Sequence, residues 1–452
     1  MMHNNSFIIQ GDICWSTGLT TLKTMSSAFL VCIDGKSAGV FSELPPQYTT
    51  YGKACDNADM RALPIFDYRG RLVIPGLVDL HTHAPQFAFR GLGMDLELLD
   101  WLSSCAFPEE TKYADFAYAR RAYQAFTEHQ RRGPNTRLIV YATVHVPATL
   151  LLMDLLEDSG LVSMVGKVNM DRNCPDDLRE LSAAASLDAT REWLAATAGK
   201  YIRTKPILTP RFIPSCSDDL MRGLGALRRE NGLPVQSHLS ENRYEVEWVR
   251  KLCPSSNSYA AAYRDYDLFG SDPPDESPTV MAHCVLLDSH DMELMAAQEV
   301  FAAHCPQSNT NLSSGIAPVR RLLDAGIRTG LGSDIAAGAS SSMFRAMSDA
   351  IQVSKLRRCM TNNSEKPLTL EEAFYLGTAG GGAFFNRAGM GGCGSFEPGC
   401  DLDALVINDS SLAAPFELSI RDRLERAIYL SDERHIEAKY VQGKHISLTP
   451  SP

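Results

Sequence analysis

Between about residues 75 and 385, eight short, β-rich apolar runs alternate with longer amphipathic stretches. No other feature limits the available folds as much. The runs are 72–80, 138–144, 161–170, 205–209, 234–238, 279–283, 300–304 and 327–333. Helical periodicity falls between them, as at 114–129, 218–229, 242–252 and 318–324. Strands separated by helices pair in parallel, and eight such units in order close into an α/β (β/α)8 barrel of the TIM type. A barrel takes ~250 residues, whereas the chain has 452. A second, smaller domain is therefore expected.

The flanks differ in kind. Strand-like pieces at 6–9 and 28–33 come before about residue 70, and 402–407 and 439–441 follow Gly389. The two chain ends are expected to pair into one small β-sandwich. This predicts residues 1–70 and 389–452 as its two parts and 71–388 as the barrel. Stretch 254–278, rich in Ser, Tyr, Asp and Pro, reads as a long loop covering the site.

Active sites of such barrels gather at the C-terminal ends of the strands. The first run breaks at Pro75-Gly76, resumes, and ends in Asp79, His81 and His83. Residues i and i+2 of a strand share a face, so both imidazoles point the same way, as a shared metal requires. The fifth run ends in His238, with Glu241 one short turn later, and the sixth ends in His283. The eighth, Thr329-Gly-Leu-Gly-Ser-Asp334, finishes on an aspartate. Any one of these alone reads as a core histidine or a helix N-cap. Together, at one face of one barrel, they read as a metal centre. His129, His145 and His304 read as structural residues.

A net charge of -11 and a pI near 5.5 argue against nucleic-acid or anionic-membrane binding. The basic run 355–358 reads as a solvated helix face. No signal-peptide pattern opens the sequence, and no apolar run reaches the ~18 residues of a membrane span. The twelve cysteines form no paired framework. A cytoplasmic protein with reduced thiols is expected.

The order His-x-His, His, His, Asp on these strands resembles that of the amidohydrolase superfamily. Along nearly its whole length the chain is similar to the guanine deaminases within it. The likeness rests on Pro75-Gly-Leu-Val-Asp-Leu-His-Thr-His-Ala-Pro-Gln86, Trp101-Leu with Phe107-Pro-Glu109, and Thr209-Pro-Arg-Phe212. Ser237-His-Leu-Ser-Glu-Asn-Arg243, His304-Cys-Pro-Gln-Ser-Asn309 and Gly330-Leu-Gly-Ser-Asp334 extend it. One departure, Gly133-Pro-Asn-Thr136 where relatives carry Gly-Thr-Thr, bears only on local packing.

The resemblance implies hydrolysis of guanine to xanthine and ammonia by a zinc-activated hydroxide, in purine catabolism. Two-metal members carry a bridging lysine at the end of strand four. Lys205 lies at the other end of that run, so one ion per subunit is expected. By the same resemblance His81, His83, His238 and Asp334 hold Zn2+, a set that iron also tolerates. Asp334 further serves as a base, His283 orients the hydroxide, and Glu241 moves protons to the ring and the leaving amine. Gln86, Arg211 and Phe212 bind the base, and Trp101 and Phe107 wall the pocket. His238, Glu241, His283 and Asp334 touch the substrate as well. A homodimer is implied. The competing readings are a sister enzyme acting on a triazine, pterin or modified nucleoside, and an inactive scaffold homologue.

Overall fold

A computed structural model describes residues 5–49, 63–270 and 277–449. The N-terminal part forms β1 (Phe7–Gly18), β2 (Thr21–Ile33), β3 (Lys36–Phe41) and β4 (Ile65–Pro75). β1 and β2 are far longer than the pieces read at 6–9 and 28–33. The polar half of β2 is mostly exposed, so it carries no apolar signal.

The barrel strands follow in order: β5 (Leu77–His83), β6 (Asn135–Tyr141), β7 (Val162–Gly166), β8 (Val168–Asn169), β9 (Thr204–Pro206) and β10 (Thr209–Pro210). Its second half holds β11 (Val235–Leu239), β12 (Thr279–His283), β13 (Phe301–His304) and β14 (Thr329–Leu331). β5, β6, β7 and β9 pair in parallel, as do β11 to β14. A parallel bridge between Leu208 and Val235 joins the two groups on one side. On the other, Asp334 N donates to His81 O at 2.8 Å and His83 N to Ile335 O at 3.1 Å. The ring closes at the strand ends that carry the histidines.

β15 (Ala404–Ile407), β16 (Ile436–Val441) and β17 (Lys444–Ile446) return to the N-terminal strands. The β-domain drawn from both chain ends is one hydrogen-bonded sheet in the order β17-β16-β15-β4-β1-β2-β3. Residues 72–75, read as the start of the first barrel strand, instead finish β4 and pair antiparallel with β15. The chain changes sheets at Gly76, whose N–H donates to Asp403 O while Leu77 N turns to Pro134 O. A Cβ at Gly76 would lie 2.3 Å from Thr136 Oγ1, so only glycine fits the crossing.

The helices begin where polar caps permit. Asp115 Oδ1 accepts from Ala117 N at the start of Phe116–Arg132, and Ser217 caps Asp218–Asn231. Asn242 and Glu245 form a capping box on Arg243–Leu252. Stretch 254–278 is not one loop. It contains the helix Tyr259–Arg264, packed beneath β11, while residues 271–276 lie outside the described set.

Candidate active site

β5 is buried along its whole length, so both histidines leave its end inside the protein. Asp79 braces that end against the eighth barrel strand. Its Oδ1 accepts from His81 N at 3.1 Å and Ser333 N at 2.9 Å, and its Oδ2 from Ser333 Oγ at 2.5 Å. Burial lifts its carboxyl to about 6, although those donors pull the other way. His283 (φ 72°) and Asp334 (φ 47°) both occupy the left-handed backbone region that non-glycine residues avoid. Such strain clusters where a fold over-determines functional side chains.

The four side chains read as metal ligands meet. His238 Nδ1 donates to Arg211 O at 2.6 Å, which leaves Nε2 with its lone pair facing inward. That Nε2 lies 3.3 Å from His83 Nε2. Asp334 Oδ1 is 3.2 Å from His81 Nε2 and 3.5 Å from His83 Nε2. Burial lowers the proton affinity of His81, His83 and His238, so all three are neutral near pH 7. Burial also pushes Asp334 up, but the imidazoles of His81, His283 and His83 outweigh it and hold the carboxyl well below its ordinary range.

His81 Nε2 is buried with no hydrogen bond of its own. Donor atoms of His81, His83 and His238 fall within 4.8 Å of one another, as do those of His81, His283 and Asp334. Neutral nitrogens turned lone pair to lone pair around an anionic carboxylate fit a divalent cation.

His283 and Glu241 flank this cluster. His283 Nε2 stands 3.4 Å from Glu241 Oε2 and 3.8 Å from Asp334 Oδ2, while its Nδ1 donates to Asn309 Oδ1 at 2.9 Å. Burial raises the Glu241 carboxyl well above its usual range, and the charges of Asp334 and Glu245 add to the effect. A carboxyl so raised gives up its proton less readily than a free one, as suits a general acid.

Glu245 was not singled out in the sequence. Its Oε2 accepts from Glu241 N at 2.8 Å, and its Oε1 from Tyr259 OH at 2.7 Å. Tyr263 OH donates to His238 O at 2.9 Å. The segment expected to cover the site thus supports it from below.

The cluster opens into a partly enclosed cavity with about 430 Å³ of space between its lining atoms. Gln86, Trp101, Arg211 and Phe212 all line it, facing the histidines. Phe107 does not line it and lies under the Arg211 guanidinium, 5.0 Å from ring centroid to Cζ. Leu98 and Leu102 supply the apolar wall instead.

Arg211 is not free. Its Nη1 donates to Glu110 Oε2 at 2.5 Å and its Nη2 to Glu110 Oε1 at 3.0 Å. Gln86 Nε2 donates to the same Oε1 at 2.8 Å. Glu110 escaped the sequence reading, although its neighbour Glu109 belongs to a stretch that carried the resemblance.

The chain is similar to known proteins along most of its length. A model of the Amidohydrolase family matches residues 72–445. Guanine deaminase of Dictyostelium discoideum is 38% identical over 396 residues, which cover 86% of each chain. The human enzyme of that name is 37% identical over 382 residues, 82% of each. A solved guanine deaminase from C. acetobutylicum, with guanine bound in its active site, superposes with a TM-score of 0.90 at 42% identity. That superposition covers 98% of this chain and 100% of the other.

Proposed function

The chain belongs to the amidohydrolase family and, within it, to the guanine deaminases, and on that footing we propose how its cavity turns guanine and water into xanthine and ammonia. One observation carries the reading: a cluster of side chains able to hold a metal and two hydrogen-bond donors, Gln86 and Arg211, meet at a single cavity. His81, His83, His238 and Asp334 would hold a zinc ion, which would act as a Lewis acid and bring the pKa of a water toward ~7. Iron fits the same donors.

The chain's own groups do the rest. Asp334 accepts a proton from the attacking water, and His283 orients that water and the oxygen developing on C2. Glu241, whose carboxyl burial raises well above its usual range, gives its proton to the ring nitrogen beside C2, which makes the carbon electrophilic. The water oxygen adds to C2, and its remaining proton passes through Glu241 to the amine. The C2–N bond breaks, ammonia leaves as the C2–O bond becomes a carbonyl, and the proton on Asp334 returns to Glu241. Phe212 and Trp101 stack and wall the flat ring. Gln86 and Arg211 read the 6-oxo edge.

We also take the working form to be a cytoplasmic homodimer, which sedimentation and cell fractionation would test. No helix among the described residues is long and apolar enough to cross a membrane. Purified, metal-loaded protein is expected to convert guanine to xanthine with release of ammonia, followed by loss of guanine absorbance. No turnover with metal present would overturn the reading.

A further inference from the structure

We infer that Glu110 sets the polarity of the edge on which the purine is read, and so selects a 6-oxo over a 6-amino substituent. The inference rests on the cavity being a guanine site. Glu110 sits on the short helix Phe107–Thr111, is 2% exposed, and stands behind the cavity without lining it. Its carboxylate receives Gln86 at one oxygen and Arg211 at both. It is a positioning residue, acting through those two side chains.

An ionised carboxylate only accepts. The Gln86 amide must therefore turn its NH2 toward Glu110. On its other side Gln86 Oε1 accepts from Ala336 N at 3.1 Å, which fixes the same orientation from the opposite direction. The oxygen of Gln86 is committed to the backbone, and what its amide still offers is an N–H. Arg211 has no acceptor at all, and the Phe107 ring beneath the guanidinium holds its plane. Without Glu110 the Ala336 N–H alone would hold the glutamine amide, and Arg211 would lose the carboxylate that sets it beside Gln86.

The sequence alone allows Gln86 to donate and accept; the structure leaves it a donor. Two donors side by side match an edge of acceptors. A 6-oxopurine presents acceptors at O6 and at the adjacent N7, whereas a 6-aminopurine puts a donor where O6 would be. Two donors facing each other in a buried cavity leave both unpaired. Sites built to hydrogen-bond a substrate group reject analogues that lack it by large factors for this reason.

The test compares guanine with 2,6-diaminopurine, which carries the same amino group at the reacting carbon and differs at C6 and in lacking the N1 proton. Wild-type protein is expected to favour guanine in kcat/KM by about 100-fold or more. In Glu110→Gln that ratio is expected to fall at least tenfold, mainly through a raised KM for guanine, with 2,6-diaminopurine little affected. A merely structural role would lower both substrates together, and an unchanged ratio overturns the inference.

Should Glu110→Gln fail to fold, competition on the wild type decides. Hypoxanthine and adenine both lack the 2-amino group. Hypoxanthine is expected to inhibit at least tenfold more tightly, and equal or tighter inhibition by adenine overturns the inference. Failure of the wild type to turn over guanine would instead remove the reading on which the inference rests.

Discussion

His304 ends β13 fully buried, with neither ring nitrogen hydrogen-bonded. His81, His83 and His238 are also kept neutral by burial, but each turns a nitrogen toward another ligand of the cluster. His304 has no such partner, and burial lowers its pKa to about 3 from an ordinary 6.5. As pH falls below ~6.5 the unfolded chain takes up a proton there that the folded chain refuses until about pH 3. The stability present above that window is therefore lost through it, by on the order of a few kcal/mol. His304→Leu keeps the site apolar and removes the titration. Urea unfolding at pH 7 and pH 5 should show the variant losing less stability on acidification than the wild type. An equal loss in both proteins would sink this account.

At the scale of elements, Gly76 decides where one sheet ends and the barrel begins. A Cβ there would meet Thr136 Oγ1 at 2.3 Å and Cγ2 at 2.4 Å. Gly76→Ala is expected to cost about 1–3 kcal/mol as overpacking. Trimming the obstacle with Thr136→Ala should recover part of that loss, giving a measurable coupling between the two sites in denaturant midpoints. Simple additivity would contradict the steric account. Pro75-Gly76 was legible as a break in an apolar run, but local patterning does not say which sheet each half joins. Residues 205–209 read as one strand, yet β9 stops at Pro206 and β10 pairs with β8, because each proline removes a ladder donor. Strand order survives such errors because it needs only the alternation of β and α stretches. The paired histidines and the aspartate were legible because their spacing or strand-end position is a local signal. Glu110 was not, since its bond to Arg211 spans 101 residues of sequence and belongs to tertiary structure alone.

The two parts of the molecule are joined by buried charge as well as by the turn at Gly76. Arg137 of β6 is fully buried, and it donates to Asp403 Oδ2 at 2.7 Å, Asp401 Oδ2 at 2.9 Å and Met390 O at 2.9 Å. Asp403 lies just before β15, and its Oδ1 accepts from Gln442 N just after β16. Lys439 of β16 reaches back and caps the Phe116–Arg132 helix, bonding the carbonyls of Gln130, Arg131 and Gly133 at 2.9 to 3.3 Å. β6 is also the neighbour of β5, so whatever loosens this joint acts on the strand that presents His81 and His83. Removing Asp403 leaves Asp401 as the one carboxylate on a fully buried guanidinium, and breaking a buried pair costs more than the pair contributes. Asp403→Ala is therefore expected to lose about 3–5 kcal/mol in chemical unfolding. The apolar double replacement Arg137→Met with Asp403→Leu should cost distinctly less, because the buried guanidinium goes with its partner and Asp401 keeps Lys36 at 2.9 Å. Turnover of guanine, measured well below the unfolding transition, should survive in both variants, since neither residue lines the cavity. If the double replacement were as damaging as Asp403→Ala, the joint would be held by shape rather than by paired charge.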